Sequence, residues 1–137
     1  MKGQMMLRGA CLCGKVKYEI GGTPRLMYFC HCGICRKASG SAFATNLIVL
    51  AEDFLLVSGR DLLSAFESSP EKHRYFCSGC GSPIYSQAMQ TQSIVSVRCG
   101  TLESDPTVRP SIHAHVASKA PWYRICDELP QAPGAFA

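Results

Sequence analysis

Cys77-Ser78-Gly79-Cys80-Gly81 is the stretch on which the reading of this chain turns. Its two-residue gap lets the backbone bend round a single ion so that both sulfurs reach it at about 2.3 Å, and Gly81 can take positive φ just past the turn. That is half of a tetrahedral site. Towards the N-terminus, Cys11-Leu12-Cys13-Gly14 offers a second pair, and on a strand the period of two would put both sulfurs on one face. Two such arms close a four-thiolate shell around zinc. A closed shell leaves no open position for substrate, so its role is structural, tying the N-terminal strand region to a hairpin more than sixty residues later.

Between these arms lies Cys30-His31-Cys32-Gly33-Ile34-Cys35, with three thiols in six residues. Three thiolates suit a zinc whose fourth position is open, where a bound thiol loses its proton and becomes a nucleophile near neutral pH. The alternative is that these three complete another closed site with a cysteine or histidine elsewhere. Spacing alone does not pair the clusters.

The nine cysteines are an odd number, so internal disulfides cannot consume them all. Met1 to Arg8 lacks the apolar run of an export signal, and no stretch approaches the roughly eighteen apolar residues that span a bilayer. A cytoplasmic, reducing setting with no membrane partner is expected, and there clustered cysteines are more often metal ligands than disulfides. With 47% hydrophobic and 18% charged residues, the composition excludes a disordered or fibrous chain, and the length fits a single domain over 1–137. The net charge of +4 is spread without a basic block, which argues against a nucleic-acid partner.

The chain reads as mainly β. Lys15 to Ile20 alternates strictly, with Val16, Tyr18 and Ile20 on one side, and Gly21-Gly22-Thr23-Pro24 ends it. Further strands are expected over Leu26 to Cys30, Ala42 to Leu50, Leu62 to Glu67, His73 to Cys77, Ser93 to Arg98 and Ile112 to Ala117. Helix is expected only as a turn or two from Gly33 to Ala38, and the Pro-rich tail after Leu129 reads as loosely held.

At these residues the sequence resembles the glutathione-dependent formaldehyde-activating enzyme family, also called centromere protein V-like. The resemblance rests on Gly9-Ala10-Cys11-Leu12-Cys13-Gly14, Cys30 to Ser41, Phe76-Cys77-Ser78-Gly79-Cys80-Gly81-Ser82-Pro83, Gly100-Thr101-Leu102 and Lys119-Ala120-Pro121-Trp122. It implies a β-tent of small antiparallel sheets pinned by zinc, with a short helical turn after the middle cluster. It also implies a structural zinc on Cys11, Cys13, Cys77 and Cys80, and a second zinc of variable occupancy on Cys30, Cys32 and Cys35, which would act on the thiol. Gly33 stands where the family often has Ser, Glu71 where Gly is common, and His115 where a large apolar or aromatic residue is usual.

Arg36 and Lys37 follow Cys35 directly and are the expected binding residues for an anionic thiol and for the charge of a thiolate-rich zinc; Arg74 and Lys119 are further candidates for the carboxylates of glutathione. His31 lies between two ligands and could orient a thiolate, shuttle a proton or point to solvent. His113 and His115 would share one strand face. Trp122 is expected to seal the core, and Cys99 and Cys126 to behave as small buried hydrophobes. The resemblance implies a carbon–sulfur lyase type of enzyme that adds glutathione, or a similar small anionic thiol, to a small aldehyde or releases it. A thiol carrier without catalysis and a zinc-ribbon interaction module are the competing classes.

Four thiolates close one shell while three leave the other open to exchange, so elemental analysis of the purified chain is expected to find about one tightly held zinc and a second of variable occupancy. Absence of zinc or any other thiophilic metal would overturn this reading.

Overall fold

Short alternating runs lay down ten strands and one helix among residues 6–135, which are the residues described by the computed structural model. In chain order these are β1 (Leu7–Ala10), β2 (Lys17–Ile20), β3 (Leu26–Cys30), α1 (Gly33–Ser39), β4 (Ala44–Leu50), β5 (Phe54–Ser58), β6 (Leu63–Ser69), β7 (Lys72–Cys77), β8 (Pro83–Ala88), β9 (Ile94–Arg98) and β10 (His113–Ala114). The chain is mainly β, as expected. β1, β5 and β8 were not anticipated: Gly9 in β1 and Pro83 at the head of β8 weaken the strand pattern, and Phe54 to Val57 in β5 is a continuous apolar run without alternation.

Two sheets form, of three strands in the order β1-β2-β5 and of seven in the order β10-β3-β4-β9-β8-β7-β6. Apart from β10, which runs parallel to β3, the seven-stranded sheet is antiparallel. The sheets meet through one core, in which Tyr18 and Ile20 of β2 pack with Leu47 and Val49 of β4, Val95 and Val97 of β9, and Ile84 of β8. Side chains buried this fully contribute about 1.5–3 kcal/mol each. A second pairing runs through aromatic rings: Tyr18 stacks on Phe54 at 5.2 Å, and Phe54 meets Tyr85 at 4.8 Å.

The opposite face of the large sheet is set by the same register. Tyr28 pairs with Asn46, and Asn46 with Arg98; Ser96 pairs with Ser86, Ser86 with Arg74, and Arg74 with Phe66. Because side chains alternate along each strand, the phase that turns Val95 and Val97 to the core turns Ser96 and Arg98 away from it. Helix α1 begins three residues beyond Cys30 and stops at Gly40, whose φ of 66° lets its N–H return to the Arg36 carbonyl.

Three expectations fail. The run expected as a strand over Ile112 to Ala117 is extended only at His113–Ala114, because His115 turns to φ 58° and a short 3-10 turn follows. His113 and His115 therefore do not share a strand face. The tail beyond Leu129 is fastened: the His113 N–H donates to the Pro130 carbonyl, that of Ala132 to His113, and that of His115 to Gly134. Trp122 is 69% exposed, and Cys126 is exposed as well, so neither belongs to the core; Cys99 packs against it.

Gly59, at φ 84°, closes the end of β5 against the start of β2. A Cβ there would stand 2.4 Å from the Lys15 carbonyl oxygen and 2.7 Å from the Val16 Cα, and neither atom has freedom to retreat. Gly59→Ala is expected to lower the unfolding free energy by about 2 kcal/mol or more, since left-handed strain adds to the clash. Urea unfolding checks this: an unchanged midpoint would mean that this end of the sheet yields.

Candidate functional site

Two groups of cysteine sulfurs form, and within each all sulfurs lie within 4.8 Å of one another. The first is Cys11, Cys13, Cys77 and Cys80, with Cys11 and Cys13 3.5 Å apart and Cys13 and Cys77 3.9 Å apart. The first pair was expected on a strand and lies instead in a turn, closed by the Gly14 N–H on the Cys11 carbonyl. The second pair sits in the β7–β8 turn, where the Gly81 N–H donates to the Cys77 carbonyl and Gly81 takes φ 82°. The Val16 N–H donates to the Cys11 sulfur at 3.3 Å. At Cys80 the Ser82 hydroxyl, 3.3 Å away, is the leading cause that holds the thiol down to about 5. Four sulfurs so close, some already receiving hydrogen bonds, are a donor set that fits a thiophilic ion.

The second group is Cys30, Cys32 and Cys35. Cys30 ends β3 and is buried; Cys32 caps α1, its sulfur accepting from the Cys35 N–H at 3.3 Å; Cys35 is buried in the first turn of the helix. The Cys35 thiol is lowered to about 4, first by its hydrogen bond with Cys30 and also by Arg74, whose Nη2 lies 3.6 Å from the Cys35 sulfur. The same bond, together with burial, pushes Cys30 up. The Cys35 sulfur thus faces a guanidinium that favours its charged form.

Cations crowd this end of the sheet. Arg74 and Arg98 are buried, and Lys72 beside them is half-buried. Burial and the neighbouring guanidiniums lower the Lys72 ammonium, and burial followed by Arg74 lowers Arg98. Arg98 is held by the Ser96 carbonyl at 3.0 Å and the Ser86 hydroxyl at 3.0 Å, and Arg74 Nε by the Ser68 hydroxyl at 2.9 Å. Among the described residues no carboxylate pairs with any of the three; the ion pairs are Arg109–Asp105 and His113–Asp127. A cleft of about 330 Å³ opens here, lined by Tyr28, the three cysteines, Asn46, Lys72, Arg74 and His115. Arg36 and Lys37, expected to serve these cysteines, stand differently: Arg36 donates to the Ser118 carbonyl at 3.1 Å and Lys37 is exposed, and neither lines the cleft. Lys119 donates to the carbonyls of Ala120 and Tyr123.

Reading by cluster spacing missed Lys72 and Arg98. Their signal was present as a phase: Ser96 and Arg98 alternate with Val95 and Val97, and Lys72 shares a face with Arg74.

His31, between two of the cysteines, is fully buried, and its Nε2 lies 2.8 Å from His113 Nδ1. His113 Nε2 is 3.0 Å from the Asp127 carboxylate, which only accepts. In neutral His113 the proton therefore sits on Nε2, its Nδ1 accepts, and His31 Nε2 donates. That leaves His31 Nδ1 a bare acceptor, buried with no partner among the described residues. Asp127 was not anticipated, since no motif joins it to a histidine fourteen residues earlier.

Comparison with known proteins supplies the wider context. The family described as glutathione-dependent formaldehyde-activating enzyme matches residues 6–118. A protein of Halomonas elongata, provisionally named a glutathione-dependent formaldehyde-activating enzyme, is 32% identical over 130 residues, covering 88% of this chain and 82% of its own length. One of Fusarium vanettenii with the same provisional name is 28% identical over 79 residues, which span 58% of this chain and 42% of that protein. A crystal structure of a Rhodobacter sphaeroides protein superposes with a TM-score of 0.59 at 24% identity, over 75% of this chain and 91% of that one, and this likeness shows the fold.

The histidine pair gives a pH test. Burial, then His113, pushes the His31 imidazole down from 6.5 to about 4, so the unfolded chain binds the proton more tightly. Stability gained from neutral His31 is complete above pH 6.5 and is lost as the pH falls towards about 4. The urea midpoint is expected to fall across that window, and less steeply for His31→Gln at equal metal content. Parallel curves would remove His31 from the account.

Proposed function

Because the chain belongs to the glutathione-dependent formaldehyde-activating enzyme family, we propose that it joins a small anionic thiol, glutathione first, to a small aldehyde beside Cys30, Cys32 and Cys35, a reaction of the carbon–sulfur lyase type when run in reverse. In the forward direction the thiol sulfur forms a bond to the carbonyl carbon, the C=O π pair moves to oxygen, and the proton given up by the thiol ends on that oxygen. Atoms and electrons balance with no oxidant or reductant.

The donor sets suit zinc at both places: Cys11, Cys13, Cys77 and Cys80 as a closed structural shell, and Cys30, Cys32 and Cys35 as three ligands with room for another. Zinc at the second would lower the pKa of a thiol bound beside it. The chain's own residues do the rest. A divalent ion with three thiolates carries one net negative charge, and an added thiolate makes two, so positive neighbours are required.

The observation that carries the reading is that Lys72, Arg74 and Arg98 gather at these cysteines with no carboxylate among the described residues to balance them. Arg74 already donates to Cys35, and a carboxylate-bearing thiol would bring the charge that the site lacks. Tyr28 and Asn46 line the same cleft and offer polar groups to orient the incoming molecule. A reducing cytoplasm would keep the nine thiols available, and the whole of 1–137 would act as one domain.

The test is to load the protein with cobalt and titrate glutathione against S-methylglutathione, which has no ionisable sulfur. Glutathione is expected to change the cobalt–thiolate absorption and to bind at least tenfold more tightly. Equal affinity, or no spectral change with glutathione, would overturn thiol activation at this cluster.

A further inference from the structure

Arg74 lines two clefts. One holds the cysteines; the other, of about 300 Å³, is lined by Phe66, Phe76 and Pro83 from the sheet side, Ala38 near the end of α1, and by Arg74 and Arg98. Its surroundings are of two kinds, aromatic rings and buried guanidinium-bearing side chains. Phe66 is 47% exposed on the face of the sheet that carries the cations, and its ring meets Phe76 edge-on at 6.0 Å. Arg74 and Arg98 are only 6% and 8% exposed, lack any carboxylate partner among the described residues, and Arg74 Nη1 is buried without a hydrogen bond.

We propose that this second cleft is a binding subsite for a small organic carboxylate with an aromatic or similarly flat apolar body, its carboxylate on Arg74 and Arg98 and its body against Phe66, Phe76 and Pro83. Each half of that description follows from a group the fold leaves unsatisfied. A neutral apolar occupant would cover the rings but leave Arg74 Nη1 unpaired. A small hydrophilic anion would answer the guanidinium and leave the rings wet. A carboxylate accepts from the planar fork of an arginine, and apolar walls that exclude water strengthen that bond. Arg74 borders both clefts, its Nη2 on Cys35 and its Nη1 buried without a partner. The subsite shares Arg74 with the thiol site proposed above but requires neither the cysteines nor a metal, so either can be lost without the other.

The experiment is a titration of the full chain with benzoate, benzyl alcohol and acetate, followed by calorimetry and by backbone amide chemical shifts. Benzoate is expected to saturate, to shift the amides of Ala38, Phe66 and Phe76, and to bind roughly tenfold or more tightly than either its neutral or its ring-free counterpart, as a charge-assisted bond and a buried ring each supply about that factor. Phe66→Ser, at a half-exposed position that leaves the core intact, is expected to weaken benzoate several-fold. Equal binding of benzoate and benzyl alcohol, failure of benzoate to saturate, shifts confined to the cysteine cleft, or an unaltered affinity in Phe66→Ser would each overturn the subsite.

Discussion

Side-chain alternation in the seven-stranded sheet is the constraint from which the rest of the molecule follows. Each strand must turn every second residue to the core, and β4 and β9 commit Leu47, Val49, Val95 and Val97 to it. What is left over on the same strands is then forced onto the other face: Asn46, Ser96 and Arg98, continued by Ser86, Arg74 and Cys30 from their neighbours. One decision, which face meets the small sheet, thereby builds both an apolar core and a polar floor. A register slip of one residue in β9 would exchange Arg98 for Val97 and ruin both faces together.

The polar floor is unusual in its charge. Burying a guanidinium costs free energy unless something answers it, and here two are buried side by side with a lysine nearby. Serine hydroxyls and a backbone carbonyl accept from some of the N–H groups, but hydrogen bonds to neutral groups do not cancel charge. Among the described residues the group that faces Arg74 and is favoured in its charged form is the Cys35 thiol. Among the described residues no carboxylate answers this positive charge, which is the charge that the carboxylates of the proposed thiol would meet. The exposed ion pair of Arg109 with Asp105 answers none of these cations.

Much of this was legible in the residues, and the failures have physical causes. The alternation of Lys15 to Ile20 and the run of Leu26 to Cys30 read directly as β2 and β3, and a short helix from Gly33 was expected because Gly and Pro interrupt every longer periodic stretch. The clustering of the cysteines was visible too, but spacing could not say that Cys11 and Cys13 approach their partners from a turn, because a Cys-x-Cys pair fits either geometry. Arg36 and Lys37 drew attention through adjacency in sequence, whereas Arg74 reaches Cys35 across the sheet from thirty-nine positions away. Sequence neighbours on a helix point in different directions; strand neighbours in space need not be near in sequence at all. The fastening of the tail by β10 was hidden for the same reason, since a parallel bridge between His113 and Gln131 leaves no local pattern.

The two sulfur-bearing turns of the first cysteine group also have a bearing on time. Each belongs to a local hairpin, β1–β2 or β7–β8, whose strands are a few residues apart and can pair in microseconds. Bringing Cys13 to Cys77 is different, because sixty-four residues must be ordered or looped out before those sulfurs meet. The arms can thus be shaped well before the clasp closes, and the long intervening segment, which contains the whole middle cluster and α1, is enclosed only at that moment. Lengthening that segment would cost little in closure entropy, which grows only with the logarithm of loop length. The clasp therefore leaves the intervening loops wide latitude to vary in length, while the geometry of the two turns themselves has almost none.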